Sequence, residues 1–188
     1  MARLFYLIEL PTNPLFDYFP NSLDHFNFDQ SAQSFASGDI LARAPNNNFA
    51  PLYKYFLGSL YFLFGRNLQA IYAVQFIMGS VACVLVYFIG KEVFGIRAGI
   101  ISGLILALYA PHIVYEGIIL RAAFISFWGV VSLFFLFRLR RFLNTTNLII
   151  TTLVVSFFFQ GRPNTLICLP PICFYLHKYI FVQLPNDL

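Results

Sequence analysis

The chain has 188 residues, of which 59% are hydrophobic and only 11% charged. A soluble domain carries about 25% charged residues, so too few polar side chains remain here to cover a water-facing surface, and composition points to an integral membrane protein. The net charge of +4 does not point to nucleic acid, because the basic residues are scattered and flank apolar runs.

In chain order, residues 1–10 (MARLFYLIEL) hold an apolar patch broken by Glu9. It is too short for a signal sequence with its cleavage site, or for a span, and it reads as the tail of a span whose beginning is missing. Residues 22–52 are polar and carry Asp24, Asp29 and Asp39. A helix over 22–37 would set Asp24 and Asp29 about 140° apart, one toward a site and the other toward solvent or a cap. Asp24 stands where that helix begins, so an N-cap is the alternative to a chemical role. Gly38-Asp39 reads as a helix stop and turn. Residues 51–64 (PLYKYFLGSLYFLF) start with a Pro suited to a first helical turn and are rich in Tyr and Phe, which predicts an interfacial helix lying as a shelf under the acidic loop.

A span needs about 20 mostly apolar residues. Residues 70–90 qualify, with Gln75 the one strongly polar side chain. Residues 98–115 form a second span ending in a Pro-His corner. A third covers 122–137 and extends backward through 117–120. Two shorter runs, 148–159 and 165–180, are split by Gln160-Gly161-Arg162-Pro163-Asn164, which predicts a helical hairpin with its tip at 161–164; one kinked helix is the alternative. The expected fold is therefore an all-α polytopic bundle. Residues 1–66 hold the remnant span, acidic loop and shelf, and 67–188 hold about five membrane segments. Lys91 and Arg97, then Arg138, Arg140 and Arg141, mark two loops on one side, with Lys178 expected to join them. The positive-inside rule makes that side cytoplasmic and puts Asp24, Asp29, Asp39 and Glu116 outside. Cys83, Cys168 and Cys173 lie in apolar runs and read as small hydrophobes in helices.

Three constellations could do chemistry. Asp24 and Asp29 are the carboxylates of the first outer loop. His112 and Glu116 stand at i and i+4 and share a helix face, with Arg121 following; a structural Glu116–Arg121 pair or a weak two-ligand divalent-metal site are the other readings. Arg162 at the hairpin tip is a cation suited to a phosphate, or a surface charge. Together they suit transfer from a polyprenyl-phosphate donor: a carboxylate to activate an acceptor hydroxyl or bind metal, a second acid, and a cation for the lipid-linked phosphate.

The order of these motifs resembles the polytopic GT-C glycosyltransferases, in particular the bacterial dolichyl-phosphate-mannose–protein mannosyltransferase-like branch. The matching residues are Asp24, Phe28, Asp29, Ala32 and Gly38-Asp39, then Pro51-Leu52-Tyr53 through Leu63-Phe64-Gly65. They continue with Gln75, the string Gly90-Lys91-Glu92-Val93-Phe94-Gly95-Ile96-Arg97-Ala98-Gly99, the stretch LALYAPHIVYEG over 106–117, and Gly161-Arg162-Pro163-Asn164. The resemblance implies Asp24 as the catalytic or metal-binding carboxylate and Glu116 as the second acid and a further metal ligand. Asp29, His112, Arg121 and Arg162 are implied on the substrate side. The implied donor is a polyprenyl-phosphate sugar, and the acceptor a lipid, glycan or protein at the outer face of a bacterial plasma membrane, with Mg or Mn as the possible metal. Asp24-His25 replaces the family's frequent Asp-Glu pair, and Phe28 replaces its usual Tyr. The nearly absent first span and the stop at Leu188 lead us to expect an N-terminal fragment. The rival reading is a non-catalytic transporter or assembly subunit, or an inactive remnant of a transferase; the near absence of charge inside the spans favours surface chemistry.

Overall fold

The computed structural model describes residues 2–14, 16–17, 23–39 and 51–177. The Pro20-Asn21-Ser22 approach to the first polar helix, the Asn46-Asn47-Asn48 tract and Lys178 lie outside them. Among the described residues the chain is helical, without strands: α1 (Ala2–Glu9), α2 (Asp24–Ala36), α3 (Pro51–Phe64), α4 (Leu68–Phe94), α5 (Ile96–Leu108), α6 (Ala110–Glu116), α7 (Arg121–Arg141), α8 (Thr145–Gly161) and α9 (Leu169–Leu176). Short 3₁₀ segments follow α1 (Leu10–Thr12) and α8 (Pro163–Cys168).

The acidic loop folds as expected into a helix, with one change at its start. Leu23, in extended backbone, takes the N-cap position, and Asp24 is the first helical residue. Asp24 therefore does not cap; its carboxylate meets the positive end of the helix dipole instead. The stop at Gly38 is as predicted. Gly38 has φ +106°, a left-handed conformation that costs glycine little. Its N–H reaches Phe35 O at 3.0 Å and the Asp39 N–H reaches Ser34 O at 3.0 Å, which satisfies two carbonyls of the last turn. α3 begins at Pro51 and lies against α2. Gly58 makes this approach possible, since a Cβ there would stand 2.6 Å from the Phe35 ring. α3 buries Tyr53, Leu57 and Tyr61 and leaves Phe62, Leu63 and Phe64 exposed, an apolar edge suited to an interface.

α4 and α7 are each long and apolar enough to cross a membrane, and α5 with α6 forms an apolar pair bent by 54° that is long enough for a third span when taken together. The bend is the expected Pro-His corner. Pro111 has no N–H to offer the carbonyl one turn back, Ala107 O; Arg3 Nη1 donates to that oxygen instead, at 3.2 Å. The predicted backward extension of the third span is not made. Residues 117–120 are non-helical, and Leu120 is extended (φ −137°, ψ 146°) just before α7 starts. The reason lies in α4: Gln75 Nε2 donates to Glu116 O at 3.0 Å and to Ile118 O at 3.2 Å, so these carbonyls are satisfied outside any helix.

The last two apolar runs form the hairpin rather than one kinked helix. Gly161 lies beside Ile125 near the start of α7, whereas Tyr175 Oη reaches Leu136 O near its end at 3.5 Å and the Tyr175 ring stands 6.0 Å from Phe137. α8 and α9 are shorter than a full span. The apolar segments of 67–177 are thus two span-length helices, one bent pair and this short hairpin.

The core sits at one end of the bundle. Leu10, Phe28, Tyr53, Leu57, Ile71, Tyr72, Phe76, Ile113, Ile119 and Phe124 pack together where α1, α2, α3, the first half of α4, α6 and the start of α7 converge. Elsewhere α4, α5 and α8 present Ile77, Val84, Ile100, Leu104, Ile105, Ile149 and Leu153 outward, an apolar surface of the kind a bilayer covers.

Candidate active site

Two buried polar clusters are built into this end of the bundle. The first centres on Glu116, which is 0% exposed. Arg3 Nε donates to its Oε2 at 2.7 Å and Arg3 Nη2 to its Oε1 at 3.0 Å, a two-point grip. His112 Nδ1 stands 3.0 Å from Oε1, so the expected i,i+4 contact of His112 and Glu116 is made. The other ring nitrogen, Nε2, lies 3.2 Å from Ser126 Oγ. Room for the carboxylate comes from Gly79 on α4: a Cβ there would stand 1.8 Å from Oε1. Gln75, one turn earlier on the same face of α4, holds the backbone of Glu116 and in turn receives Tyr53 Oη on its Oε1 at 3.3 Å.

The second cluster centres on Asp29, also buried. Tyr61 Oη donates to Oδ1. Arg66 Nε reaches Oδ1 at 3.0 Å, and Gln33 Nε2 donates to Oδ2 at 2.8 Å. Arg66 also spans to Asp17, Nη2 to Oδ1 at 2.6 Å. The hydrogen bond to Asp17, with that to Asp29, holds the Arg66 guanidinium above its usual pKa, and burial followed by the Asp29 contact raises Tyr61. Asp29 therefore ties α2 to α3 and to the turn before α4. Replacing Asp29 by Asn is expected to cost about 2 kcal/mol, as charge-assisted hydrogen bonds do, read as a lower unfolding midpoint in detergent by Trp128 fluorescence.

Asp24 lies on the other side of α2, as the angular spacing predicts, and its side chain is 61% exposed. Arg121 Nη2, at the start of α7, is 3.8 Å from Asp24 Oδ2, and the Arg121 guanidinium stands 5.9 Å over the Phe28 ring. The Glu116–Arg121 pairing is not formed; each has a different partner. Phe28 packs edge-on against Tyr53, with ring centroids 5.0 Å apart, and so links this exposed pair to the Gln75–Glu116 cluster. His25 is half-buried, and burial, against the opposing pull of Asp24, lowers its pKa below the usual value. Arg162 is exposed at the hairpin tip, at the same end of α7 as Arg121.

The structure thus brings Asp24 together with Arg121, and His112 with Glu116. It seats Asp29 in a structural cluster and leaves Arg162 at the surface. Both oxygens of Glu116 face Arg3 or His112, and no group of three or more His, Cys, Asp or Glu that could hold a metal stands among the described residues. Sequence reasoning missed Arg3, Gly79, Tyr61 and Arg66. Two signals were available: a lone arginine in an apolar N-terminal segment needs a buried acid, and Gln75 and Gly79 share one face of a span.

The structure offers an exposed carboxylate beside a cation, mounted on a rigid polar framework inside an apolar helical bundle. The family model described as dolichyl-phosphate-mannose-protein mannosyltransferase matches residues 48–180. This range includes His112, Glu116, Arg121 and Arg162, and Asp24 and Asp29 precede it. Comparison with curated proteins and with solved structures found no match. With more than half of its length under that family model, the chain belongs to the dolichyl-phosphate-mannose-protein mannosyltransferase family.

Proposed function

We propose that this membrane glycosyltransferase moves a sugar from a polyprenyl-phosphate donor to an acceptor hydroxyl at the outer face of a bacterial plasma membrane. The observation that supports this reading is the Asp24–Arg121 pair. It sets an open carboxylate 3.8 Å from a guanidinium, at the end of the bundle away from the basic loops. Asp24 takes the proton of the acceptor hydroxyl as its oxygen attacks the anomeric carbon. The bond from that carbon to the phosphate oxygen breaks, and polyprenyl phosphate leaves with the electron pair. Arg121 meets the charge that develops on the leaving phosphate, with Arg162 as a second cation near the same end of α7. Glu116 serves by position: with Arg3, His112 and Gln75 it fixes the backbone of residues 116–120, which sets where Arg121 begins α7. The apolar faces of α4 and α7 suit the prenyl chain. In this reading a divalent ion, if one takes part, meets Asp24.

The test supplies the whole protein in detergent with a labelled sugar on polyprenyl phosphate, and in parallel with the same sugar on a soluble nucleotide, each with and without EDTA. The expected result is transfer from the lipid-linked donor alone. Transfer from the nucleotide donor alone would contradict the donor class, and no transfer from either would favour the non-catalytic reading.

A further inference from the structure

The opposite end of the bundle holds a concave site that the transfer reaction does not use. α4 and α7 end side by side, as the 3.4 Å contact of Arg141 Nη1 with Glu92 Oε2 shows. Between them lies a cavity of about 260 Å³ whose rim, among the described residues, carries Lys91, Arg138 and Arg141 against the one carboxylate of Glu92. Its walls are phenyl rings, among them Phe88 and Phe134 with centroids 6.4 Å apart, and Phe137. The Glu92–Arg141 pair is exposed on both sides, and an exposed pair of this kind holds weakly.

A general excess of basic residues near a membrane would scatter cations over the loops. Here three of them line one hollow, with an apolar wall running back along the two spanning helices. This matches the shape of a phospholipid, with an anionic headgroup at the rim and an acyl chain beside the rings. Basic pockets between membrane helices on the cytoplasmic side select anionic headgroups by this chemistry. We propose that this cavity binds one anionic phospholipid, with its phosphate between Lys91, Arg138 and Arg141 and one chain along Phe88, Phe134 and Phe137.

The experiment incubates the whole protein in detergent with equal amounts of phosphatidylglycerol and phosphatidylcholine and counts the retained lipid by native mass spectrometry. The wild type should retain phosphatidylglycerol preferentially. The double variant Arg138→Gln/Arg141→Gln should lose that retention by roughly 30-fold, whereas Arg138→Lys/Arg141→Lys keeps most of it. Glu92→Gln removes the one opposing charge and should raise retention by about 5-fold, a gain that a folding defect would not produce. Equal retention of the two lipids, or no gain in Glu92→Gln, would overturn the proposal. So would displacement of the lipid by excess inorganic phosphate, which would mark a site for free phosphate instead.

Discussion

Replacing Glu116 by Ala lowers the stability of the folded bundle by about 3–5 kcal/mol, the cost of stripping one partner from a buried ion pair. The size follows from what remains. Arg3 is buried and is left with the Ala107 carbonyl and the Cys83 thiol in place of a carboxylate, and His112 loses its Nδ1 partner. The bend at Pro111 is weakened, because the Arg3 guanidinium that donates to Ala107 O loses its two-point grip, while Gln75 still holds the backbone carbonyls of residues 116 and 118. Removing both charges at once should recover much of the loss, because a buried pair replaced by apolar side chains of similar size is often nearly neutral. The measurement is SDS-induced unfolding from mild detergent, followed by the fluorescence of Trp128, for Glu116→Ala, Arg3→Met and Arg3→Met/Glu116→Leu. A double variant that loses the sum of the single losses would show that the two residues act independently.

Replacing Gly99 by Val separates α4 from α5 and costs about 3 kcal/mol, at the upper end for overpacking. A Cβ at Gly99 would stand 2.7 Å from Tyr87 O and 2.8 Å from Lys91 N, and one at Gly90 would stand 3.0 Å from Gly99 Cα. These are contacts of backbone with backbone, so no side-chain rotation relieves them. Ser102 adds to the seam by placing its hydroxyl 3.0 Å from Gly99 O and 3.4 Å from Val86 O. Small residues serve this purpose where membrane helices meet closely. Gly103→Ala should cost less, since its Cβ would meet Cys83 O and Tyr87 Cβ at 3.2 Å, a distance that slight movement accommodates. The same unfolding assay ranks the two variants, and a milder effect at Gly99 than at Gly103 would contradict the packing of this seam.

What the sequence made legible is what local patterns encode. The two long spans lie around the apolar runs 70–90 and 122–137, and the breaks at Pro111 and Pro163 follow from a missing N–H. The stop at Gly38 follows from a left-handed turn. The angular separation of Asp24 and Asp29 was legible too, but not which of them faces inward, because that depends on where α3 lies. Arg3 and Glu116 are 113 positions apart, and no periodicity connects them. The failure of helix over 117–120 was likewise hidden: residues 117–120 are compatible with helix, and the side chain that takes the carbonyls at 116 and 118 is on another element. Charge type suggested that Glu116 would face substrate as a second acid. Burial among Arg3, His112 and Gly79 is the observation behind the positioning place we propose for it.

That division of labour between an open Asp24 and a buried Glu116 is the point most directly tested by kinetics. Asp24→Asn and Glu116→Gln are compared in sugar transfer from labelled polyprenyl-phosphate donor, with the unfolding midpoint of each measured on the same sample. The account predicts that Asp24→Asn lowers kcat by about 100-fold or more, as loss of a general base does, while its midpoint stays near that of the wild type. Glu116→Gln lowers the midpoint, and its remaining folded protein transfers sugar with kcat close to normal. Undiminished transfer by Asp24→Asn, or loss of kcat in a fully folded Glu116→Gln, would contradict it.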